Sequence, residues 1–240
     1  MKGTARGLSG RRVVLTGATG GVGRALAARL SREGADLLLI ARREGALREF
    51  AAGLDARALT ADLTVAGTIE RVASELKASW GGPPDVLINN AGVFGLAPVA
   101  ETEASAFERH LEVNLIAPFR LVRLVLADML RRGFGQIVNI GSAAGRRAFP
   151  GNAAYSASKF GLRGLHEVLV EEVRGSGVKV TWIEPSAVDT ALWDPHDPDR
   201  REDLPSRAQM LSPEAVADAV CFSIDQPGDV SVEEIVLRTT

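Results

Sequence analysis

The 240-residue chain is poor in the residues that staple small folds or bind metals. Cys221 is its only cysteine, so no internal disulfide can form and a reducing compartment is the simplest setting. The three histidines, His110, His166 and His196, are scattered at no ligating spacing, which argues against a zinc site. A chain of this length buries about 70–75% of its unfolded surface and needs no such staple.

Features of membrane and nucleic-acid proteins are also missing. No apolar run approaches the roughly 18 residues that span a bilayer, and residues 1–17 contain no apolar core of a signal peptide. The net charge of −2 gives no support for a nucleic-acid or membrane-surface partner. We therefore expect a cytoplasmic protein that binds neither nucleic acid nor a membrane.

Short aliphatic runs alternate with segments of helical periodicity along the whole chain. Such apolar runs are typical of strands buried on both faces of a parallel sheet. Predicted strands cover 11–17, 35–42, 59–62, 85–92, 135–142, 178–185 and 233–238, and predicted helices include 22–32, 64–80, 101–132 and 153–174. The alternation predicts a doubly wound α/β fold: a Rossmann-like parallel sheet of about seven strands with helices on both faces.

One stretch, residues 193–207, is irregular and rich in proline and charge. Only about thirty residues follow it, so we interpret it as part of a substrate loop at about 190–211 rather than as a domain linker. We expect residues 1–240 to form a single nucleotide-binding domain.

A glycine-rich turn, "TGATGGVG" at 16–23, joins the first predicted strand to the first predicted helix. Glycine permits a tight turn, lets the backbone approach a pyrophosphate, and lets the helix pack closely on the strand. The N–H groups at the start of that helix then point toward an anion. The turn therefore predicts a dinucleotide site.

Tyr155 is the only tyrosine of the chain, and Lys159 is one of four lysines. Their spacing of four residues puts both on one face of a predicted helix, where a pair is often no more than a pair of neighbours. A phenol with a pKa near 10 becomes an acid–base catalyst at neutral pH only when a nearby cation stabilises its phenolate. The pair predicts proton transfer if it lies beside the dinucleotide.

Several motifs together resemble the short-chain dehydrogenase/reductase family: Thr16 with the glycine spacing, "NNAG" at 89–92, and Tyr155 with Lys159. The resemblance covers the whole chain. It implies a catalytic set of Asn114, Ser142, Tyr155 and Lys159. It also implies cofactor contacts from Thr16, Gly17, Thr19, Gly21, Val22, Gly23, Asp62, Leu63, Asn90, Ala91, Gly92, Tyr155, Lys159, Pro185, Val188 and Thr190.

The resemblance also implies a role for each catalytic residue. Lys159 would bind the nicotinamide ribose, Asn114 would hold a water in a proton relay, and Ser142 would bind the substrate carbonyl. Taken singly, Ser142 could cap a turn, Asn114 could satisfy buried backbone, and Asp62 could cap a helix. One departure is Ser186, which stands where the family usually has glycine after Pro185. It puts in doubt the local backbone shape.

The end of the second predicted strand indicates which nicotinamide cofactor is used. An NAD enzyme places a carboxylate there, against the ribose hydroxyls. Asp36 lies at the opposite end of the strand, whereas Ala41, Arg42 and Arg43 stand at the correct end. Ala41 leaves room for a 2′-phosphate that arginine can bind. These residues predict NADP(H), held partly by Arg42 and Arg43.

Two functional readings follow. The favoured one is an NADP-dependent oxidoreductase that interconverts a carbonyl compound (a ketone, 3-oxo acid or 3-oxoacyl compound) and its secondary alcohol. The alternative is a catalytically retired dinucleotide-binding sensor or scaffold. A serine hydrolase is disfavoured, because "GSAAG" at 141–145 does not match the nucleophile elbow.

The surroundings of the substrate and the oligomeric state complete the expectations. Residues 94–97, 143–152 and 186–211 are expected to surround the substrate, with Arg146, Arg147, Arg200 and Arg201 interpreted as solvated surface rather than a carboxylate clamp. Helical segments 107–130 and 155–173 carry extra apolar residues, and the resemblance implies that they pair about a two-fold axis. We expect a homodimer or homotetramer.

Overall fold

A seven-stranded, wholly parallel sheet forms the centre of the protein. The structure, a computed structural model, describes residues 7–240, so the segment for which we predict no signal peptide lies partly outside it. The strands are β1 Arg12–Thr16, β2 Asp36–Ala41, β3 Arg57–Thr60, β4 Val86–Asn89, β5 Gly135–Ile140, β6 Val178–Pro185 and β7 Glu234–Leu237. Their order in the sheet is β3-β2-β1-β4-β5-β6-β7.

Helices cover both faces of this sheet, as predicted. They are α1 Gly21–Arg32, α2 Glu44–Ala52, α3 Thr68–Trp80, α4 Ala104–Leu111, α5 Ala117–Arg132, α6 Ala153–Val173 and α7 Pro213–Ile224. One apolar cluster joins one sheet face to α1, α2 and α7, and a second joins the other face to α3, α5 and α6. Each fully buried leucine, such as Leu26 or Leu121, contributes roughly 1.5–3 kcal/mol to stability.

The strand order reverses beside β1, which has β2 on one side and β4 on the other. The connections from β1 and β4 therefore leave in opposite directions and open a crevice at the carboxyl ends of the two strands. Crevices of this kind are where ligands bind to open α/β sheets. The glycine-rich turn after β1 and the "NNAG" segment after β4 lie at this crevice.

Some elements differ from those predicted. The third strand ends at Thr60 and not at 62, because Asp62 turns the chain by accepting hydrogen bonds from the N–H and hydroxyl of Thr64. The predicted helix at 101–132 divides into α4, a π-helical turn Glu112–Ile116 and α5. Helices α2 and α7 were not predicted.

The segment expected to be a substrate loop is ordered by its own contacts. Three 3-10 turns, Ala191–His196, Pro198–Arg200 and Arg207–Gln209, follow one another along it. The N–H of Asp189 donates to the carbonyl of Leu211 at 2.9 Å, and Leu211 returns the bond to Ala187 at 2.9 Å. The two ends of the loop are therefore held together. Within residues 7–240, no helix is long and apolar enough to cross a membrane.

Candidate active site

The turn between β1 and α1 has the shape that an anion-binding loop requires. Gly17 has a left-handed backbone with φ of 67°, and a Cβ there would lie 2.7 Å from the Cα of Ala91. A Cβ on Gly23 would collide with the Gly17 carbonyl. Helix α1 starts without a side-chain cap at Gly20 and has no acidic residue in its first turn. Its first N–H groups, those of Gly21, Val22 and Gly23, are thus available to a phosphate.

Thr16 and Asn90 tie the end of β1 to the end of β4. The Thr16 hydroxyl oxygen accepts bonds from the N–H groups of Asn90 and Ala91, both at 3.0 Å. The Asn90 amide donates to the carbonyl of Thr16 at 2.9 Å. Both polar side chains are engaged with the backbone, so they shape the crevice and leave backbone atoms to face a ligand. The carbonyl of Thr19 accepts a bond from Arg24 at 3.3 Å on the outer side of the turn.

The carboxyl end of β2 is positively charged. Ala41 is buried there, and the side chains of Arg42 and Arg43 are exposed. Asp36 lies at the amino end of β2, where it pairs with Arg57 and accepts a 2.7 Å bond from the Trp80 indole. That carboxylate is therefore occupied and is far from the crevice.

Asp62 and Leu63 follow β3 at the same edge of the sheet. Burial raises the pKa of the Asp62 carboxyl, but the hydrogen bonds from Thr64 and the charge of Arg42 outweigh it and hold the pKa below its usual value. Leu63 is buried in the core. Asp62 thus makes a turn-forming contact through Oδ1 and carries a negative charge within reach of Arg42.

Asn114 is fully buried in the π-helical turn between α4 and α5. Its Oδ1 accepts from the N–H of Val93 at 2.8 Å, and its Nδ2 donates to the carbonyl of Val93 at 2.9 Å. Nδ2 also contacts the hydroxyl of Ser158 at 3.0 Å. The side chain therefore joins the segment after β4 to helix α6. A Cβ on Gly92 would lie 3.4 Å from its Oδ1.

Ser142 and Tyr155 meet at the carboxyl end of β5. The Ser142 oxygen accepts from the N–H of Ala144 at 3.1 Å, which makes it the cap of the short turn Ala143–Gly145. Burial raises the pKa of the Tyr155 phenol, and a hydrogen bond with Ser142 works in the opposite direction. Tyr155 is therefore a protonated phenol at neutral pH, in contact with the serine predicted to act beside it.

Lys159 is buried one helical turn beyond Tyr155. Its Nζ donates to the carbonyl of Ile140 at 2.8 Å and lies 5.7 Å from the centroid of the Tyr155 ring. Burial lowers the pKa of Lys159 to about 8. The lysine thus sits on the same helix face as the tyrosine, as its spacing predicts.

The segment after β6 packs against the glycine-rich turn. A Cβ on Gly21 would lie 2.6 Å from Cγ2 of Thr190, so the two segments touch across the crevice. Pro185 ends β6, and Val188 pairs with Leu211. Ser186 does not adopt a positive φ, so the serine replaces the usual glycine without backbone strain. Thr190 is the residue of this segment that contacts the glycine-rich turn.

An aromatic cluster beside Tyr155 was not predicted by residue. The Phe94 ring lies edge-on to Tyr155 with centroids 5.0 Å apart. The same ring packs on Trp193 at 4.7 Å and on His196 at 5.2 Å. His110 approaches Tyr155 from α4 at 6.4 Å. These residues lie in three distant segments with no common spacing. The expected ranges 94–97 and 186–211 include Phe94, Trp193 and His196, whereas His110 lies outside every expected range.

The four arginines interpreted as solvated surface differ in their contacts. Arg200 pairs with Asp197, Arg201 pairs with Asp203, and Arg147 stacks over Phe149. The Arg146 side chain is 46% exposed, and its guanidinium binds the fully buried carboxylate of Glu184. Among residues 7–240, no group of three or more histidine, cysteine or acidic residues is arranged to hold a metal.

The crevice thus combines a glycine-rich turn, a buried asparagine, and a serine, tyrosine and lysine around the end of β5. The chain matches the family model described as "short chain dehydrogenase" over residues 11–201. The protein belongs to the short-chain dehydrogenase/reductase family. It is an oxidoreductase of that family with the parallel, Rossmann-like sheet that the sequence predicts.

Three short-chain dehydrogenase/reductase comparisons show how far the likeness extends. The protein is 36% identical over 243 residues to glycine betaine reductase ATRR of Emericella nidulans, covering 96% of this chain but only 19% of that one. A metagenomic short-chain oxidoreductase solved with NADP is 31% identical, with a TM-score of 0.82, and the match covers 97% and 98% of the two chains. The closed form of a serine dehydrogenase complexed with NADP+ is 29% identical, with a TM-score of 0.87 and coverage of 94% and 93%.

Proposed function

We propose that the protein is an NADP-dependent oxidoreductase that interconverts a carbonyl compound and its secondary alcohol, with Tyr155 as the acid/base. The observation that carries the proposal is the grouping of Ser142, Tyr155 and Lys159 at one end of the β1–β4 crevice. A protonated phenol, a hydroxyl donor and a buried ammonium are the groups that a carbonyl oxygen needs as it gains charge.

The residues of the crevice suit a nicotinamide dinucleotide. Added Cβ atoms on Gly17, Gly21 or Gly23 would clash with backbone or with Thr190. The absence of side chains at these positions lets a ligand approach the backbone closely beside the uncapped start of α1. The pyrophosphate would lie against these N–H groups. Pro185, Val188 and Thr190 would hold the nicotinamide carboxamide, and Lys159 the adjoining ribose. The bound cofactor supplies or accepts a hydride, and the protein handles the proton.

Proton transfer follows from the arrangement of side chains. Ser142 would bind the substrate carbonyl oxygen and orient it toward the Tyr155 phenol, which donates its proton as the alcohol forms. The Lys159 ammonium stabilises the phenolate left behind. Asn114, whose side-chain amide is held by Val93 and Ser158, would hold a water in the proton relay.

The charge at the end of β2 supports NADP(H) over NAD(H). An arginine pair follows Ala41, and a guanidinium binds a 2′-phosphate through charge-assisted hydrogen bonds. The carboxylate that an NAD enzyme would offer is absent from this end of β2, because Asp36 lies at the other end and pairs with Arg57. Both structural neighbours described above were solved with an NADP cofactor.

The substrate would carry an apolar group beside its carbonyl. Phe94, Trp193 and His196 form an aromatic wall next to Tyr155. Arg207, in the loop that follows, is paired with Asp189 and Asp194. These contacts favour a neutral ketone or 3-oxo ester over a free 3-oxo acid.

The retired sensor or scaffold of the same fold is the alternative. A protein without catalytic activity does not require a protonated tyrosine held by a serine beside a buried lysine. Burial of each of these polar groups costs desolvation free energy, which disfavours this alternative. We also propose one domain over residues 1–240, a cytoplasmic location, which the single buried cysteine supports, and a homodimer or homotetramer.

A panel of carbonyl compounds tests the function. Aryl ketones, aliphatic ketones, 3-oxo esters and 3-oxo acids are each supplied with NADPH, and turnover is measured as loss of NADPH absorbance. We expect turnover of at least one neutral class. A protein that binds NADPH but reduces no member of the panel would instead support the retired scaffold.

A further inference from the structure

Glu184 is a fully buried carboxylate close to the active site. It is the last residue before Pro185 in β6, and its side chain has 0% of its surface exposed. An ionised carboxylate in such a place is unfavourable unless it is paired and hydrogen-bonded. The contacts of Glu184 therefore show how its buried charge is stabilised.

Three guanidinium groups and one indole surround this carboxylate. The Nε of Arg146 lies 3.2 Å from Oε1 and 3.0 Å from Oε2. Arg163 donates to Oε2 at 3.0 Å, and Arg238 donates to Oε1 at 2.6 Å. The Trp182 indole donates to Oε2 at 3.3 Å. Both oxygens are thus saturated with donors, all of them charge-assisted bonds that fix direction as well as distance.

Two of the four partners of Glu184, Arg146 and Arg163, come from the segments that carry the proposed catalytic residues. Arg146 is the residue at which the turn Ala143–Gly145, capped by Ser142, ends. Arg163 lies one helical turn beyond Lys159 on α6. Glu234 on β7 pairs with both Arg146 and Arg163. The carboxylate is therefore the point at which the Ser142 turn is fastened to the Tyr155 helix.

Packing of Trp182 on Gly141 restrains the backbone on the other side of Ser142. The Trp182 ring lies so close over Gly141 that a Cβ on Gly141 would collide with it. The Arg163 guanidinium stacks at 5.8 Å from the same ring. The backbone on both sides of Ser142 is thus held, at Gly141 by the indole and at Arg146 by the carboxylate.

We propose that Glu184, acting through Arg146, is a positioning residue that sets the hydroxyl of Ser142 against the Tyr155 phenol; the inference rests on the proposed function. Stability alone does not explain the arrangement, since apolar replacements of buried ion pairs are often neutral or stabilising. The direction of the Arg146 bonds is what an apolar residue could not supply.

A double-mutant cycle tests the inference. Glu184→Gln keeps the shape of the side chain but removes its charge and one acceptor. We expect kcat to fall about 10- to 100-fold, as small misplacement of a reacting group does, with KM and NADPH affinity changed by less than about threefold. Arg146→Gln is expected to give the same loss, and Arg146→Lys to restore part of it.

The decisive comparison is made in the background of Ser142→Ala. There Glu184→Gln is expected to lower kcat by less than about threefold, because the group that it positions is gone and coupled effects do not add. An undiminished loss in that background would overturn the inference, as would a parent-like kcat in Glu184→Gln. The matched control is Glu171→Gln, which removes an exposed carboxylate of α6 that pairs with Arg174 and should leave kcat unchanged.

Amide hydrogen exchange separates this inference from the function itself. If the parent protein turns over no carbonyl compound, the proposed function fails. Amide exchange in residues 142–149 still measures how strongly the Glu184–Arg146 pair restrains this segment. Faster exchange there in Glu184→Gln and Arg146→Gln, but not in Glu171→Gln, supports the arrangement. Exchange that is equal in all four proteins contradicts it.

Discussion

The Nζ of Lys159 lies 5.7 Å from the centroid of the Tyr155 ring and donates to the carbonyl of Ile140. The ammonium is thus near the phenol without forming an ion pair, and burial brings its pKa down to about 8. A lysine at this pKa is charged below pH 8 and neutral above it. The proposed contact with the cofactor ribose and the stabilisation of the phenolate both depend on that charge.

We therefore expect NADPH affinity to weaken as the pH rises through about 8. The cofactor is anionic, so loss of the Lys159 charge removes an attraction. In Lys159→Met, affinity should be lower and independent of pH between 7 and 9, and turnover should be lost as well. Lys77→Met, on the exposed side of α3, serves as the control. Titration of NADPH fluorescence measures the affinities, and an equal pH response in parent and Lys159→Met would contradict the assignment.

The buried imidazole of His166 leads us to expect that the free energy of unfolding falls at acidic pH. It is buried beside Trp182, and burial together with the charge of Arg163 lowers the pKa of its imidazole from 6.5 to about 4. Between these values the unfolded chain binds a proton that the folded chain does not, so the free energy of unfolding falls as the pH falls through this window. The loss amounts to about 3 kcal/mol at most.

Chemical denaturation of His166→Gln at pH 7 and pH 5 checks this prediction. The variant should lose less stability over that interval than the parent does. Arg131→Gln, which breaks an exposed pair with Asp128, should keep the parental dependence. A parental slope in His166→Gln would show that other groups, such as Glu184, govern stability at low pH.

Cofactor preference provides a test at the end of β2. The parent should use NADPH over NADH by about tenfold or more in kcat/KM, equivalent to ~1.4 kcal/mol of binding to the 2′-phosphate. Ala41→Asp combined with Arg42→Ala should reverse the preference, since a carboxylate repels the phosphate and accepts bonds from the ribose hydroxyls. Arg48→Ala, on the exposed face of α2, is the control. Equal use of both cofactors by the parent would refute this reading.

Sedimentation velocity tests the oligomeric state. Phe119 on α5 and Phe160 and Val168 on α6 remain exposed, which is more apolar surface than a helix facing solvent needs. We expect a dimer or tetramer at micromolar concentration, and we expect Phe119→Glu with Phe160→Glu to dissociate it. Phe222→Glu, an equally exposed position on α7, should not. A monomeric parent would sink the prediction.

The sequence was sufficient for the sheet and for the glycine-rich turn after β1, because both depend on local patterns. Aliphatic runs marked the strands, and glycines at the turn after β1 marked the crevice. It failed where tertiary contacts decide. The helix predicted at 101–132 contains a π-helical turn at Asn114, whose side chain pairs with Val93, a residue 21 positions away. Helices α2 and α7 were also passed over.

The Glu184 cluster could not be read from the sequence for a similar reason. Arg146 follows the turn Ala143–Gly145, Arg163 lies on α6, and Glu234 and Arg238 lie at the two ends of β7, and only the fold brings these three segments together. The ion pair of the exposed Arg146 with Glu184 was accordingly not predicted. By contrast, Tyr155 and Lys159 lie one turn apart on a single helix, so their shared face followed directly from their spacing.

Tyr155→Phe is the most direct test of the central claim, that the Tyr155 phenol donates the proton. The substitution removes one hydroxyl and leaves the ring that packs on Phe94. With the best carbonyl substrate of the panel, kcat should fall by about 10²–10⁴-fold, the usual contribution of a positioned acid. NADPH affinity and the thermal unfolding midpoint should stay close to those of the parent. A kcat within tenfold of the parent, with cofactor binding intact, would reject Tyr155 as the acid.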